Sequence, residues 1–178
     1  VEGKRHTLDR LHTTVQGETL ILDVDREWYK PWSLVENHRL TYRLTVADLT
    51  SIEAHGATII KTEQALTVDD LDVSASGSSD VHLELNGQTL SIHTSGSSDV
   101  YLSGSADVLD FSSGGSADLH ALDFHVRTAS LDCSGSSDVD ITVSEELNVH
   151  ASGSTDVSYA GEPRLNTDVS GSSDIERI

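Results

Sequence analysis

Ser76-Gly77-Ser78-Ser79-Asp80-Val81 is followed by Ser95-Gly96-Ser97-Ser98-Asp99-Val100, and the block then keeps returning. It recurs as Gly114-Gly115-Ser116-Ala117-Asp118-Leu119, Ser134-Gly135-Ser136-Ser137-Asp138-Val139, Ser152-Gly153-Ser154-Thr155-Asp156-Val157 and Ser170-Gly171-Ser172-Ser173-Asp174-Ile175. Successive aspartates stand 19, 19, 20, 18 and 18 residues apart. A degenerate copy, His55-Gly56-Ala57-Thr58, precedes the first by 21 residues, glycine to glycine. A fixed internal period of this size marks a repeat architecture, and it governs the reading of everything else.

Between the blocks the chain alternates. Two, four and six residues before each glycine stand Ala75, Val73 and Leu71, then Thr94, Ile92 and Leu90, then Ser113, Phe111 and Leu109. Cys133, Leu131 and Ala129 follow, then Ala151, Val149 and Leu147, then Val169, Thr167 and Leu165. One and three residues after the aspartates come Val81 and Leu83, Val100 and Leu102, Leu119 and Ala121, Val139 and Ile141, Val157 and Tyr159. A period of two places these side chains on one buried face and turns the intervening Ser, Asp, His, Asn and Thr to water. Equivalent positions hold side chains of equivalent size, as stacked coils require. Nineteen residues are too few for a repeat-length helix pair, and no 3.6 period is present. The pattern predicts an all-β fold, a single-stranded parallel, right-handed β-helix or β-solenoid with coils of about 18–20 residues.

Residues 1–61 break the pattern. Thr19–Val24 and Leu40–Val46 read as strands, with the aromatic, charged stretch from Arg26 to Trp32 between them. The expected organisation is one solenoid domain over 1–178, with irregular N-terminal strands and a cap in 1–61 and regular repeats in 62–178. Trp28, Tyr29 and Trp32 are read chiefly as the plug of an open solenoid end. Aromatics beside Arg26 and Lys30 are also the usual anchors of a partner contact.

Composition agrees with a narrow core. Of 178 residues 36% are hydrophobic and only 4% aromatic. No apolar run is long enough to span a bilayer. Residues 1–61 carry nine acids and eight bases, whereas 62–178 carry twenty-one acids against Arg127, Arg164 and Arg177. Such a surface repels phosphate backbones and anionic lipid, so nucleic acid is excluded as a partner. Cys133 is the only cysteine, which leaves no intrachain disulfide. It sits in the small inward column and reads as a space filler.

Coils in register line up Asp80, Asp99, Asp118, Asp138, Asp156 and Asp174 roughly 5 Å apart, where neighbouring charges repel by roughly 0.8 kcal/mol in water. The corner itself offers the compensation, since Ser and Asp side chains bond local backbone and Gly supplies special backbone angles. A cation is the sharper alternative, and Ca²⁺ bridging these carboxylates is the one cofactor considered. Calcium wants six to eight oxygens, which one carboxylate per coil supplies poorly. No cofactor is therefore expected. His82 and His120 share a repeat position with Tyr101 between them, and His93 and His150 share another. Neither histidine pair falls on adjacent coils, so both read as solvent-facing strand positions, too distant for one ion. No Gly-x-Ser-x-Gly elbow appears, and no break in the repeat suggests a single catalytic centre.

The Ser-Gly-Ser-x-Asp-Val blocks, the strand Leu49–Ala57 and the terminal Val157-Ser158-Tyr159-Ala160-Gly161-Glu162-Pro163 together resemble one family, the auto-transporter adhesin head GIN domain proteins common in Bacteroidetes. The resemblance covers about residues 19–178. It implies a β-helical protein of the envelope or cell surface, made as an exported or lipid-anchored precursor, and it carries over no catalytic residues. The expectation is a non-enzymatic, extracytoplasmic module, an adhesin or structural element whose partner is a protein or glycan at the cell surface. The leader is expected to lie outside this chain. A glycan-binding or polysaccharide-cleaving β-helix protein is the alternative from another class, and a calcium-dependent repeat protein is a third.

Overall fold

The computed structural model describes residues 2–3, 11–24 and 40–178. The chain divides into two compact units, Val1–Ala47 and Asp48–Ile178. In the first, β1 (Glu2–Gly3) pairs antiparallel with β4 (Leu40–Thr41). A hairpin joins β2 (Leu11–Gln16) to β3 (Thr19–Val24). Gln16 faces Thr19 across its two-residue turn, where Gly17 takes φ 64°, the sign that tight hairpins need. The strand expected over 40–46 forms only at Leu40–Thr41. Alternation alone does not make a strand, since a strand needs a neighbour, and Leu44 and Val46 stay exposed. Trp28, Tyr29 and Trp32 lie outside the described residues.

The second unit is a parallel β-solenoid of about six turns. Its elements are β5 (Ser51–Lys61), β6 (Leu66–Thr67), β7 (Asp70–Ser113), β8 (Ser116–Ala160), β9 (Arg164–Gly171) and β10 (Asp174–Arg177). A straight strand of the 44 residues of β7 would extend roughly 145 Å. Instead the chain bends at each corner without leaving the extended conformation and comes to lie on its own previous coil. The register repeats the period read from sequence: Gly56 pairs with Gly77, Asp99 with Asp118, Ser113 with Cys133 and Asp156 with Asp174. The stack begins at Ser51, inside the segment assigned from sequence to irregular strands.

The inward columns form the core. Leu71, Val73, Leu90, Ile92, Leu109, Phe111, Ala129, Leu131, Leu147 and Val149 are buried, and so are Val81, Val100, Leu119, Val139 and Val157 across the coil. Both phenylalanines, Phe111 and Phe124, are wholly inside. The 20-residue coil shows how an odd residue is absorbed. Tyr101 pairs with His120, but Gly104 pairs with Phe124, so the register slips by one at Ala121–Asp123. Leu122 and Asp123 are both exposed there, the signature of a β-bulge, and parity is restored at buried Phe124.

The glycine column sets the corner. Gly77, Gly96, Gly135, Gly153 and Gly171 have φ between 94° and 127°. A Cβ built on Gly96 would stand 2.3 Å from the carbonyl oxygen of Gly77, and one on Gly153 would stand 2.3 Å from that of Gly135. Only a residue without a side chain lets one coil lie this closely on the last.

The residue before the aspartate, to which the alternation between the blocks gives no face, points inward: Ser79, Ser98, Ala117, Ser137 and Thr155 are buried, and Ser173 is half-buried. Period two simply continues inward through the corner from Val81 to Ser79. One inward expectation is corrected: Leu165, Thr167 and Val169 are exposed, with Leu165 at 38% and Val169 at 39%. Their columns are buried in the five preceding coils, from Leu71 to Ala151, each of which has a coil on both sides.

Candidate functional site

The face that carries the aspartates is built by the corner beneath it. Buried Ser79 donates to the carbonyl oxygens of Gly56 and Ser76, both at 3.3 Å, tying one coil to the next. Ser134 donates to the Ser113 carbonyl at 3.2 Å, and the hydroxyls of Ser113 and Ser137 bond at 3.1 Å inside the solenoid. Each aspartate then projects outward. Asp80, Asp99 and Asp118 are half-buried, and Asp138, Asp156 and Asp174 are exposed. Asp118 accepts from the Asp138 amide at 3.2 Å, and Asp174 accepts from the Ile175 amide at 2.9 Å. These two carboxylates are occupied by local backbone donors. Among the described residues no group of three or more His, Cys, Asp or Glu side chains is arranged to hold a metal ion.

Two residues beyond the aspartates runs a second outward column. His82 stacks on Tyr101 with ring centres 4.5 Å apart and planes 5° from parallel. Tyr101 stacks in turn on His120 at 4.7 Å and 26°. His120 Nδ1 lies 3.5 Å from Asp140 Oδ2, so the ladder continues as an imidazole–carboxylate contact on the next coil. The spacing of the coils brings the rings into stacking distance, and the in-register parallel sheet makes them parallel. Their faces are spent on one another, so they present a row of edges, phenol hydroxyl and imidazole nitrogens, beside a row of carboxylates. The two histidines were separated correctly from sequence, but the continuous stack was missed. Its signal was present, since Tyr101 occupies the same repeat position as both.

A third outward set lies on later coils. Asn166 donates to Asn148 at 2.8 Å and to Glu146 at 3.1 Å, and His150 Nδ1 stands 3.3 Å from Asp168. Asn148, His150, Asn166 and Asp168 line a shallow groove with Asp132 and Ser130. The three arginines of 62–178 all meet acids. Arg127 makes a bidentate contact to Glu145, at 2.8 and 3.1 Å, and reaches Asp107 at 3.6 Å on the opposite side. Arg164 pairs with Glu146 at 2.8 Å and Arg177 with Glu162 at 2.9 Å. Glu145 and Glu146 are held below the usual carboxylate range by the guanidiniums of Arg127 and Arg164 respectively. Cys133 is fully buried, and burial, with Asp132 nearby, pushes its thiol up to about 11. A thiol so placed is no nucleophile at neutral pH.

A family model described as "Putative auto-transporter adhesin, head GIN domain" matches residues 1–163. No curated protein matches the chain. Among solved structures, a "putative adhesin" from Bacteroides fragilis is 23% identical, over 96% of this chain and 78% of that one, with a TM-score of 0.82. A "putative lipid binding protein" from Parabacteroides distasonis is 18% identical, over 99% and 82%, with a TM-score of 0.72. A "putative adhesin" from Parabacteroides merdae is 16% identical, over 99% and 81%, with a TM-score of 0.67. At these identities the three share the fold. The family match spans most of the chain, and the chain belongs to the head GIN family.

Proposed function

From membership of the head GIN family, we propose that this protein is a non-enzymatic, extracytoplasmic binding module of adhesive type. The observation that carries the reading is the His82–Tyr101–His120 ladder beside the aspartate column. The same kinds of group repeat on adjacent coils along one outward face. Such a face suits contact with an extended, repetitive partner at the cell surface, a protein or a glycan that exchanges hydrogen bonds with hydroxyl, imidazole and carboxylate groups. Catalysis calls instead for converging groups that differ from one another. The family name and the names of the structural neighbours speak of adhesion or binding, not of a reaction.

The test is a glycan and surface-protein array probed with the wild type and with a Tyr101→Ser, His120→Ser variant. Retention of the wild type, reduced at least about tenfold in the variant at equal thermal stability, is the expected result (~1.4 kcal/mol per tenfold). Turnover of any polysaccharide, or retention indifferent to the ladder, rejects the reading.

The aspartate column, on the same proposal, is a corner device and not a calcium site. The occupied carboxylates of Asp118 and Asp174 support this, as does a supply of one carboxylate per coil. Calorimetric titration with Ca²⁺ checks it. Micromolar binding that disappears in the Asp99→Asn, Asp118→Asn double variant would make the column a calcium site after all.

A further inference from the structure

Across the glycine corner from the ladder, the strands that lead into the glycines carry the shallow groove. Its walls are two outward columns. Ser130, Asn148 and Asn166 each stand five residues before a corner glycine, and Asp132, His150 and Asp168 each stand three before it. The pleat of the strand sets their outward direction. Two residues of extended chain hold the columns roughly 7 Å apart, and successive coils step along them by about 4.8 Å. Leu131, Val149 and Thr167, between the columns, form the floor. The groove measures about 330 Å³, at the small end of ligand sites.

Its polar groups hold one another in place. Asn166 spends its amide hydrogens on Asn148 at 2.8 Å and on Glu146 at 3.1 Å, and Arg164 anchors Glu146 at 2.8 Å. The Asn166 carbonyl oxygen is left unspent. His150 turns Nδ1 to Asp168 at 3.3 Å, which leaves Nε2 unspent. Asp132 adds an exposed carboxylate. The unspent atoms are mostly acceptors, with the Ser130 hydroxyl able to give or take, so a fitting ligand is rich in donors. The acidic surroundings turn away phosphate, sulfate and uronate groups. A peptide strand adds to a sheet at its edge, and this groove lies on a sheet's face. A cation gains less here than at bare carboxylates, since Glu146 faces Arg164 and Asp168 faces His150. Neutral, closely spaced hydroxyls remain.

We propose that this groove is a subsite for neutral saccharide, on another face from the ladder and independent of it. Sugar hydroxyls donate to Asp132, to His150 Nε2 and to Asn166 Oδ1. The step from coil to coil is close to the length of one sugar unit, so successive units of an extended chain meet successive coils. The groove has no aromatic ring to carry the flat face of a sugar, so binding is weak, in the millimolar range.

Titration of the isotope-labelled protein with maltopentaose, cellopentaose and mannopentaose, followed by amide NMR, tests this. Saturable shifts are expected with at least one of the three, at the side-chain amides of Asn148 and Asn166 and along the strands that hold them. They should persist when NaCl is raised, because no ligand charge is involved. The Asp132→Ala, His150→Ala double variant should weaken binding about fivefold or more, the loss of one or two hydrogen bonds. Both side chains are exposed, so the fold should survive, and the same spectra report whether it does. Asp132→Asn alone, which keeps the shape and swaps an acceptor for a donor, should weaken binding in the same direction. No saturable shift in the groove with any of the three, shifts confined to the ladder, or a groove that answers to spermidine and not to sugar overturns the proposal. A ladder that fails on the array leaves these shifts as they are, so the two readings fail separately.

Discussion

At the scale of the residue, the repeated serine is two residues in one motif. Ser78 and Ser97, after the glycine, face water, while Ser79 and Ser98, before the aspartate, point inside. Sequence alone does not tell the two apart, because nothing in the spelling of the motif says that the corner turns one of them inward. The buried hydroxyls are not equivalent. Ser79 donates to backbone carbonyls, whereas Ser98 and Thr155 have buried hydroxyls without a partner. Ser98→Ala is therefore expected to be neutral or stabilising by up to ~1 kcal/mol, and Ser79→Ala to cost about 1 kcal/mol, a contrast that paired urea titrations read directly. Gly96→Ala belongs to a harsher class, because its Cβ would meet the Gly77 carbonyl and its φ is 102°. A loss above about 2 kcal/mol is expected from the same titrations. The inward reading of Cys133, by contrast, was legible, since it occupies the column of Ala75 and Ala151. With its thiol pushed up to about 11 and no exposure, alkylation at pH 8 should proceed no faster than global unfolding, as mass spectrometry of iodoacetamide-treated protein will show.

At the scale of the element, alternation was decisive where a neighbouring coil existed to use it. The inward assignments of Leu90, Ile92, Leu131, Val81 and Ile141 match buried side chains. Ile92→Asp should destabilise by several kcal/mol (about 4), because an unpaired carboxylate enters a core one side chain deep from each face. Where no neighbour existed the pattern misled: residues 42–46 alternate and form no strand. The spacing of 20 between Asp118 and Asp138 announced an extra residue without saying where it sits, and the structure places it at Leu122–Asp123. Deleting Leu122 restores the spacing of the preceding coils, so it should change stability by less than about 1 kcal/mol. Deleting Val139, in a strand with no bulge to absorb it, reverses the faces of all that follows in its coil and should abolish folding. Circular dichroism and thermal melts of the two deletions separate these outcomes.

At the scale of the whole molecule, the acidic excess is spread along the second unit and relieved locally by Arg127, Arg164 and Arg177. Stability should rise gradually with NaCl as carboxylate repulsion is screened, and Ca²⁺ at matched ionic strength should add little. A midpoint in urea that jumps with equimolar Ca²⁺ would contradict this. Six blocks of one motif made the solenoid legible, because every coil states the same geometry. The exposure of Leu165, Thr167 and Val169 was not legible, because these residues read like those of any other coil and differ only in that no described strand lies on their far side. Stacking by nearest neighbour also has a mechanical side. Bonds between coils lie along the direction in which the coils are piled. A pull applied at Ser51 and Arg177 therefore loads the outermost coil first, one hydrogen bond after another, like a zip and not like a shear joint. Each coil that lets go releases about nineteen residues, roughly 60 Å of slack, before the next takes the load. Under tension the solenoid would yield in small equal steps and keep its remaining coils folded, lengthening as a tether instead of parting at once.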